Sequence, residues 1–233
     1  MSKIRVTIWN EFRHEKHLDA VRKLYPRGMH QAIADGIADA DLEIRLASLD
    51  EPENGLPPEV LDQTDVLMWW GHCAHGEVAD AVVARVHQRV LEGMGLIVLH
   101  SGHMSKIFRA VTGTSCTLKW REVAERERVW TIEPSHPIAA GLGESFVVEN
   151  SEMYGERFDI PQGGEVIFLS WYEGGEVFRS GVTFRRGYGK VFYFSPGHET
   201  YPIYYNPSVI KVLGNAVRWA KPTYWGKMEC PNA

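Results

Sequence analysis

The order in which apolar runs and helical repeats alternate over the first hundred residues leaves few folds open to this chain. Residues 4–9 (IRVTIW) form a compact apolar run of strand length. Residues 66–70 (VLMWW) and 96–99 (LIVL) are uninterrupted apolar stretches, as expected of strands covered on both faces. Leu42, Ile44 and Leu46 alternate as in a half-covered strand. Helical spacing fills the gaps. Residues 19–24 suit a short helix, and residues 30–38 put Ile33, Ala34 and Ile37 on one face. Val78, Val82, Val86 and Val90 recur every four residues, and Gly93 and Gly95 mark where that helix ends. Strand and helix in strict turn predict a parallel sheet with helices on both faces.

The second half changes character. Residues 146–149, 166–171, 177–184 and 190–194 read as strands, with short turns at Gly163-Gly164 and Gly174-Gly175 that suit antiparallel hairpins added to the sheet's edge. Residues 209–219 (VIKVLGNAVRW) close the chain with a helix. With no internal repeat, low-complexity segment or linker, residues 1–233 are expected to form a single α/β domain, mostly parallel with an antiparallel extension.

Composition narrows the function classes. A net charge of −5 gives no reason to expect nucleic acid or an anionic membrane as partner. No apolar stretch approaches the ~20 residues of a membrane span. Met1-Ser2-Lys3 leads into a strand without a signal-peptide layout. Cys73, Cys116 and Cys230 form no CxxC pair and leave one over from any disulfide, which fits a reducing compartment. The expectation is a cytoplasmic protein, with exposed aromatic edges leaving homo-oligomerisation open.

In open parallel sheets, ligands bind outside the carboxyl ends of the strands. Six of the ten histidines fall just after predicted strands: His14, His72, His75, His100, His103 and His198. That concentration is the strongest functional signal here. On one reading, imidazoles from neighbouring loops bind a divalent metal, zinc first, with His72, His103 and His198 as ligands and His75 and His100 as substitutes. On the other, the histidines are acid/base and hydrogen-bonding groups for a polar substrate, with Glu11, Glu152 or Glu199 as partners. The HxxH spacings at 72–75 and 100–103 lack the helical HExxH context, and any single histidine is as readily a cap or a backbone partner. Cys73 offers a thiolate beside His72, although a lone cysteine is more often inert packing. Ser101 lacks a GxSxG elbow, and neither GxGxxG nor a Walker sequence occurs. His136-Pro137 reads as a turn, and His30 opens a helix. Trp171, Tyr172, Tyr201, Tyr204 and Tyr205 could stack on a sugar or simply pack.

Residues 96–103 (LIVLHSGH) followed by residues 195–199 (SPGHE) resemble the ThuA-like (trehalose utilisation) family. Residues 150–154 (NSEMY) are similar to that family's acidic DELY-type segment, and His136-Pro137-Ile138 to its HPI turn. The resemblance runs over roughly residues 4–221. It implies a flavodoxin-like three-layer sandwich similar to class I glutamine amidotransferases. Those enzymes place a nucleophilic cysteine where this chain has His100. An imidazole cannot form the thioester that thiolate chemistry requires, so no glutaminase activity is expected. The resemblance implies carbohydrate metabolism: a sugar-modifying enzyme acting on a disaccharide or keto-sugar, or else a non-catalytic sugar- or metabolite-binding protein. On the enzyme reading, His100 and His198 are acid/base or polarising groups, and Glu152 is an orienting carboxylate or base. A cysteine hydrolase built on Cys73 is a third reading.

Overall fold

The computed structural model describes residues 3–227, so Cys230 and the first two residues lie outside the described residues. In chain order the first half runs β1 (Ile4–Asn10), α1 (His14–His17), α2 (Asp19–Leu24), α3 (Met29–Ile37), β2 (Leu42–Ser48), α4 (Pro58–Leu61), β3 (Val66–Trp70), α5 (Asp80–Glu92), β4 (Gly95–Leu99) and α6 (Lys106–Thr112). The second half runs β5 (Lys119–Thr131), β6 (Ser145–Gly155), β7 (Glu165–Tyr172), β8 (Val177–Arg186), β9 (Gly189–Phe194) and α7 (Pro207–Ala220). Short 3-10 turns, among them one at His100–Met104, fill several of the loops.

All nine strands join one sheet in the order β2-β1-β3-β4-β9-β8-β7-β5-β6. Pairing is parallel from β2 through to β9, and antiparallel from β9 outward. The crossover that carries β9 back beside β4 is what lets a late segment, residues 195–199, meet the loops of the early strands. Every residue of β3 and of β4 is buried, which is why both read as unbroken apolar runs.

Side chains alternate between the two faces, as strand geometry requires. Val6, Ile8, Met68, Trp70, Ile97 and Leu99 pack with Ile33 of α3 and Val212 and Val217 of α7. Leu67, Trp69, Leu96 and Val98 pack on the other side with Val82, Val86 and Val90 of α5 and with Ile107 and Phe108 of α6. Helices therefore cover both faces of the parallel part. Local chemistry sets their ends. Asn206 caps α7 by accepting from the Ser208 amide at 2.9 Å, with Pro207 in the first turn, and Ser105 caps α6 by accepting from Phe108.

The antiparallel part is larger than the sequence suggests. The run that forms β5, KWREVAERERVWT, carries too many charges to show an apolar face, so periodicity does not announce it as a strand. Gly174-Gly175 does turn the β7–β8 hairpin, as expected. Gly163-Gly164 instead precedes β7 on its way from β6, and β5 lies between those two strands. Among the described residues no helix is long and apolar enough to cross a membrane.

Candidate active site

The carboxyl ends of β1, β3, β4 and β9 meet at one edge of the sheet, and each hands over directly to a histidine-bearing loop. His100 leaves β4 with a left-handed φ of +49°, a conformation that costs a non-glycine residue on the order of 1–3 kcal/mol and is characteristic of functional turns. The turn is held from several sides. His100 Nδ1 lies 2.9 Å from the Ser195 carbonyl, and the Tyr193 hydroxyl donates to the His100 carbonyl at 3.1 Å. With Nδ1 on that carbonyl, Nε2 faces Glu152 Oε2 at 3.1 Å, with the Tyr154 hydroxyl at 3.4 Å. Burial opposes charge on this fully covered ring, yet Glu152 and the Ser195 carbonyl outweigh it and raise the His100 pKa. Glu152 moves the opposite way: burial disfavours its charge, but the His100 contact holds its pKa below the ordinary value.

The β3 loop is fixed by Glu11, which follows β1. Its buried carboxylate accepts from three successive backbone amides, those of His72, Cys73 and Ala74, at 2.7–3.0 Å. Those bonds overcome the cost of burial and keep Glu11 ionised, with its pKa lowered. The same carboxylate takes the Cys73 thiol at 3.2 Å. Desolvation of the sulfur and the adjacent Glu11 charge push that thiol up to about 12, so Cys73 is not a thiolate nucleophile.

His72, His100, His198 and Glu199 each offer one donor atom within 4.8 Å of the others. Glu199 Oε2 and His72 Nδ1 are buried without a hydrogen-bond partner. His14 sits between two carboxylates, 3.5 Å from Glu199 and 3.7 Å from Glu11. Burial drives the His198 pKa down to about 4 and lowers that of His72. Burial also opposes charge on Glu199, but the surrounding imidazoles prevail and keep its pKa low. This edge opens into a cavity of about 460 Å³, whose lining includes His72, His198, Glu122, Glu152, Trp120 and Tyr154.

Of the residues singled out in the sequence, His72, His100, His198 and Glu152 converge. His103 takes a different place. Its ring packs among Tyr154, Phe158 and Tyr193 with Nδ1 2.6 Å from the Cys116 carbonyl, so it lines the cavity wall and His100 stands in the four-donor group instead. Glu152 sits within β6 rather than on a loop over the sheet edge. His136 caps its turn by accepting from Ile138, and His30 is buried beside Asn10. Of the suggested aromatic cluster, Tyr201 reaches the site through Glu122, whereas Tyr172 bonds the buried Glu127. Sequence reasoning missed Glu122 and Trp120, both on the charge-rich β5. Glu122 Oε1 accepts from the Tyr201 hydroxyl, and burial raises its pKa.

A family model described as ThuA, trehalose utilisation, matches residues 5–220. The chain belongs to the ThuA family. Solved structures share its architecture at low identity. A ThuA-like protein from Bacteroides uniformis aligns with a TM-score of 0.66 at 15% identity, over 94% of this chain and 91% of that one. A protein of Salmonella typhimurium described as cytoplasmic aligns at 0.63 and 12% identity, over 94% and 100%. A Thermoplasma acidophilum protein described as a GMP synthase component aligns at 0.51 and 10% identity, over 94% and 96%, which ties the ThuA chain to the amidotransferase-like α/β fold. Among curated proteins none matches the chain.

Proposed function

We propose that this ThuA-family chain is a sugar-modifying enzyme acting on a disaccharide or its ketone-bearing oxidation product. The single observation that carries the reading is the convergence of His72, His100, His198 and Glu199 beside a cavity of about 460 Å³, a size suited to a small ligand. Trp120 and Tyr154 offer that cavity aromatic faces, and Glu122, Glu152 and His198 offer polar atoms, a mixture that suits a sugar ring with its apolar faces and hydroxyl rim. Glu152 keeps His100 charged, and the pair polarises a substrate oxygen. His198, neutral at physiological pH, accepts or relays a proton. The parallel strand order β2-β1-β3-β4-β9 supports a flavodoxin-like layout. With His100 in the nucleophile's place and Cys73 held as a thiol, the reading includes no glutaminase activity. The Salmonella relative's description supports residence in the cytoplasm.

The proposal includes one divalent cation, zinc first, held by His72, His198 and Glu199. Two imidazoles and a carboxylate are a donor set of catalytic zinc sites, and the orphaned buried atoms of Glu199 and His72 favour it, since such atoms call for a partner. When bound, the cation would polarise a sugar carbonyl or acidify water. His14 and Glu11 would orient the ligands from behind.

The test is a turnover panel, read by NMR: glucose, trehalose, and a ketodisaccharide made by oxidising one ring hydroxyl of trehalose. Conversion of the ketone probe is expected. Tight binding without product across the panel would replace the enzyme reading with that of a sugar-binding protein, and ammonia release from glutamine would overturn the loss of glutaminase chemistry.

A further inference from the structure

β5 breaks its register with β6 between Arg121 and Glu125, and Ala124 there has a left-handed φ of +57°. Bulges of this kind re-aim side chains beside functional sites. Here the neighbouring Val123 faces solvent, while Glu122 lines the cavity. One oxygen of Glu122 is anchored: Oε1 accepts from the Tyr201 hydroxyl and, at 3.4 Å, from the Ala124 amide. The other, Oε2, is buried without a hydrogen-bond partner, 3.7 Å from His198 Nε2. Its donor atom, that of Glu152 and that of His198 lie within 4.8 Å of one another.

The other buried carboxylates of this region are committed. Glu152 faces His100, Glu11 holds three amides, and Glu127 takes the hydroxyls of Ser151, Ser170 and Tyr172. Glu199 lies among imidazoles. A carboxylate tethered by one oxygen, with the other lacking a donor at the cavity wall, is built to receive a proton.

We infer that Glu122 is the catalytic base of this site, taking a proton from the carbon next to the substrate's carbonyl. The inference rests on the keto-sugar reading above. Glu122 accepts the proton, the C–H electron pair becomes the C=C bond of an enediolate, and the carbonyl π pair moves onto oxygen. Return of a proton from Glu122 to the same carbon restores the ketone. Nothing is oxidised or reduced, and no further reactant is needed.

The experiment follows hydrogen–deuterium exchange into the ketodisaccharide probe in D2O by NMR. Wild type is expected to wash deuterium into the carbon adjacent to the ketone. Glu122→Gln is expected to slow that exchange about a hundredfold, while metal content, unfolding midpoint and probe affinity stay as in wild type. Should that variant fail to fold, Tyr201→Phe keeps the carboxylate but removes its anchor, and is expected to slow exchange without weakening probe binding. Wild-type exchange in whichever of these variants folds overturns the inference. So does wild-type turnover of the probe with no deuterium at that carbon. A wild-type protein that neither binds nor converts the probe overturns the substrate reading itself, and this inference with it.

Discussion

Position 197 leaves no room for a side chain. A Cβ there lies 2.4 Å from the Tyr204 hydroxyl oxygen and 2.8 Å from the His100 Cβ, so this glycine lets the β9 loop close on the His100 turn. Gly197→Ala is therefore expected to lower unfolding free energy by about 1–3 kcal/mol, the cost of overpacking, and to lower turnover because His100 must move off Glu152. Urea unfolding and kinetics check both, and an unperturbed variant would show that the closure does not position His100. His198 lies at the join of the two donor groups, one with His72, His100 and Glu199 and the other with Glu122 and Glu152. His198→Ala is expected to reduce turnover about a hundredfold, the usual scale for losing an acid/base group. Wild-type rates in that variant would remove His198 from the mechanism. His100, His198 and Glu152 were legible in the sequence because each stands in a short polar motif beside an apolar strand. Glu122 was not, since one glutamate within KWREVAERERV looks like any solvated charge until the bulge turns it inward.

At the scale of elements, the site depends on loops held from below. The loop after β3 has no helix to fix it, and its amides are satisfied by one carboxylate from the loop after β1. Removing that carboxylate orphans three backbone donors. Glu11→Ala is expected to destabilise the fold by roughly 3 kcal/mol or more, at about 1–3 kcal/mol per buried unsatisfied group, and to weaken metal uptake by freeing His72. Chemical denaturation and a metal titration measure the two effects. A loss of stability with metal affinity intact would confine Glu11 to a structural role. The parallel strands were readable because burial on both faces leaves an unbroken apolar signature in β3 and β4. β5 and the inner half of β6 were not. There the buried positions are polar, Glu125, Glu127, Ser151 and Glu152 among them, and hydrogen bonding rather than hydrophobicity keeps them inside.

Over the whole molecule, the parallel half supplies the histidines and the antiparallel half supplies the wall that faces them: Trp120, Glu122, Glu152 and Tyr154. Local periodicity predicts the first half strand by strand, whereas pairing such as β5 between β6 and β7 depends on contacts far apart in sequence. Burial also makes the fold acid-sensitive. His30 and His103 are each pushed down to about 4, chiefly by desolvation. Unfolded, they take up protons near pH ~6.5; folded, they resist until about pH 4. The stability they confer is complete above the unfolded value and is lost as pH falls between the two. His100, whose pKa is raised, opposes this trend in the same range. The thermal midpoint is expected to fall from about pH 7 to about pH 5, two depressed histidines outweighing one raised, and a flat profile would contradict that. The claim on which the account most depends is that His72, His198 and Glu199 hold a catalytic cation. Elemental analysis of protein purified without an affinity tag tests it most directly. The account predicts about one equivalent of a divalent transition metal, zinc first, lost in Glu199→Gln. Less than roughly a tenth of an equivalent, with turnover unchanged by a chelator, would contradict it.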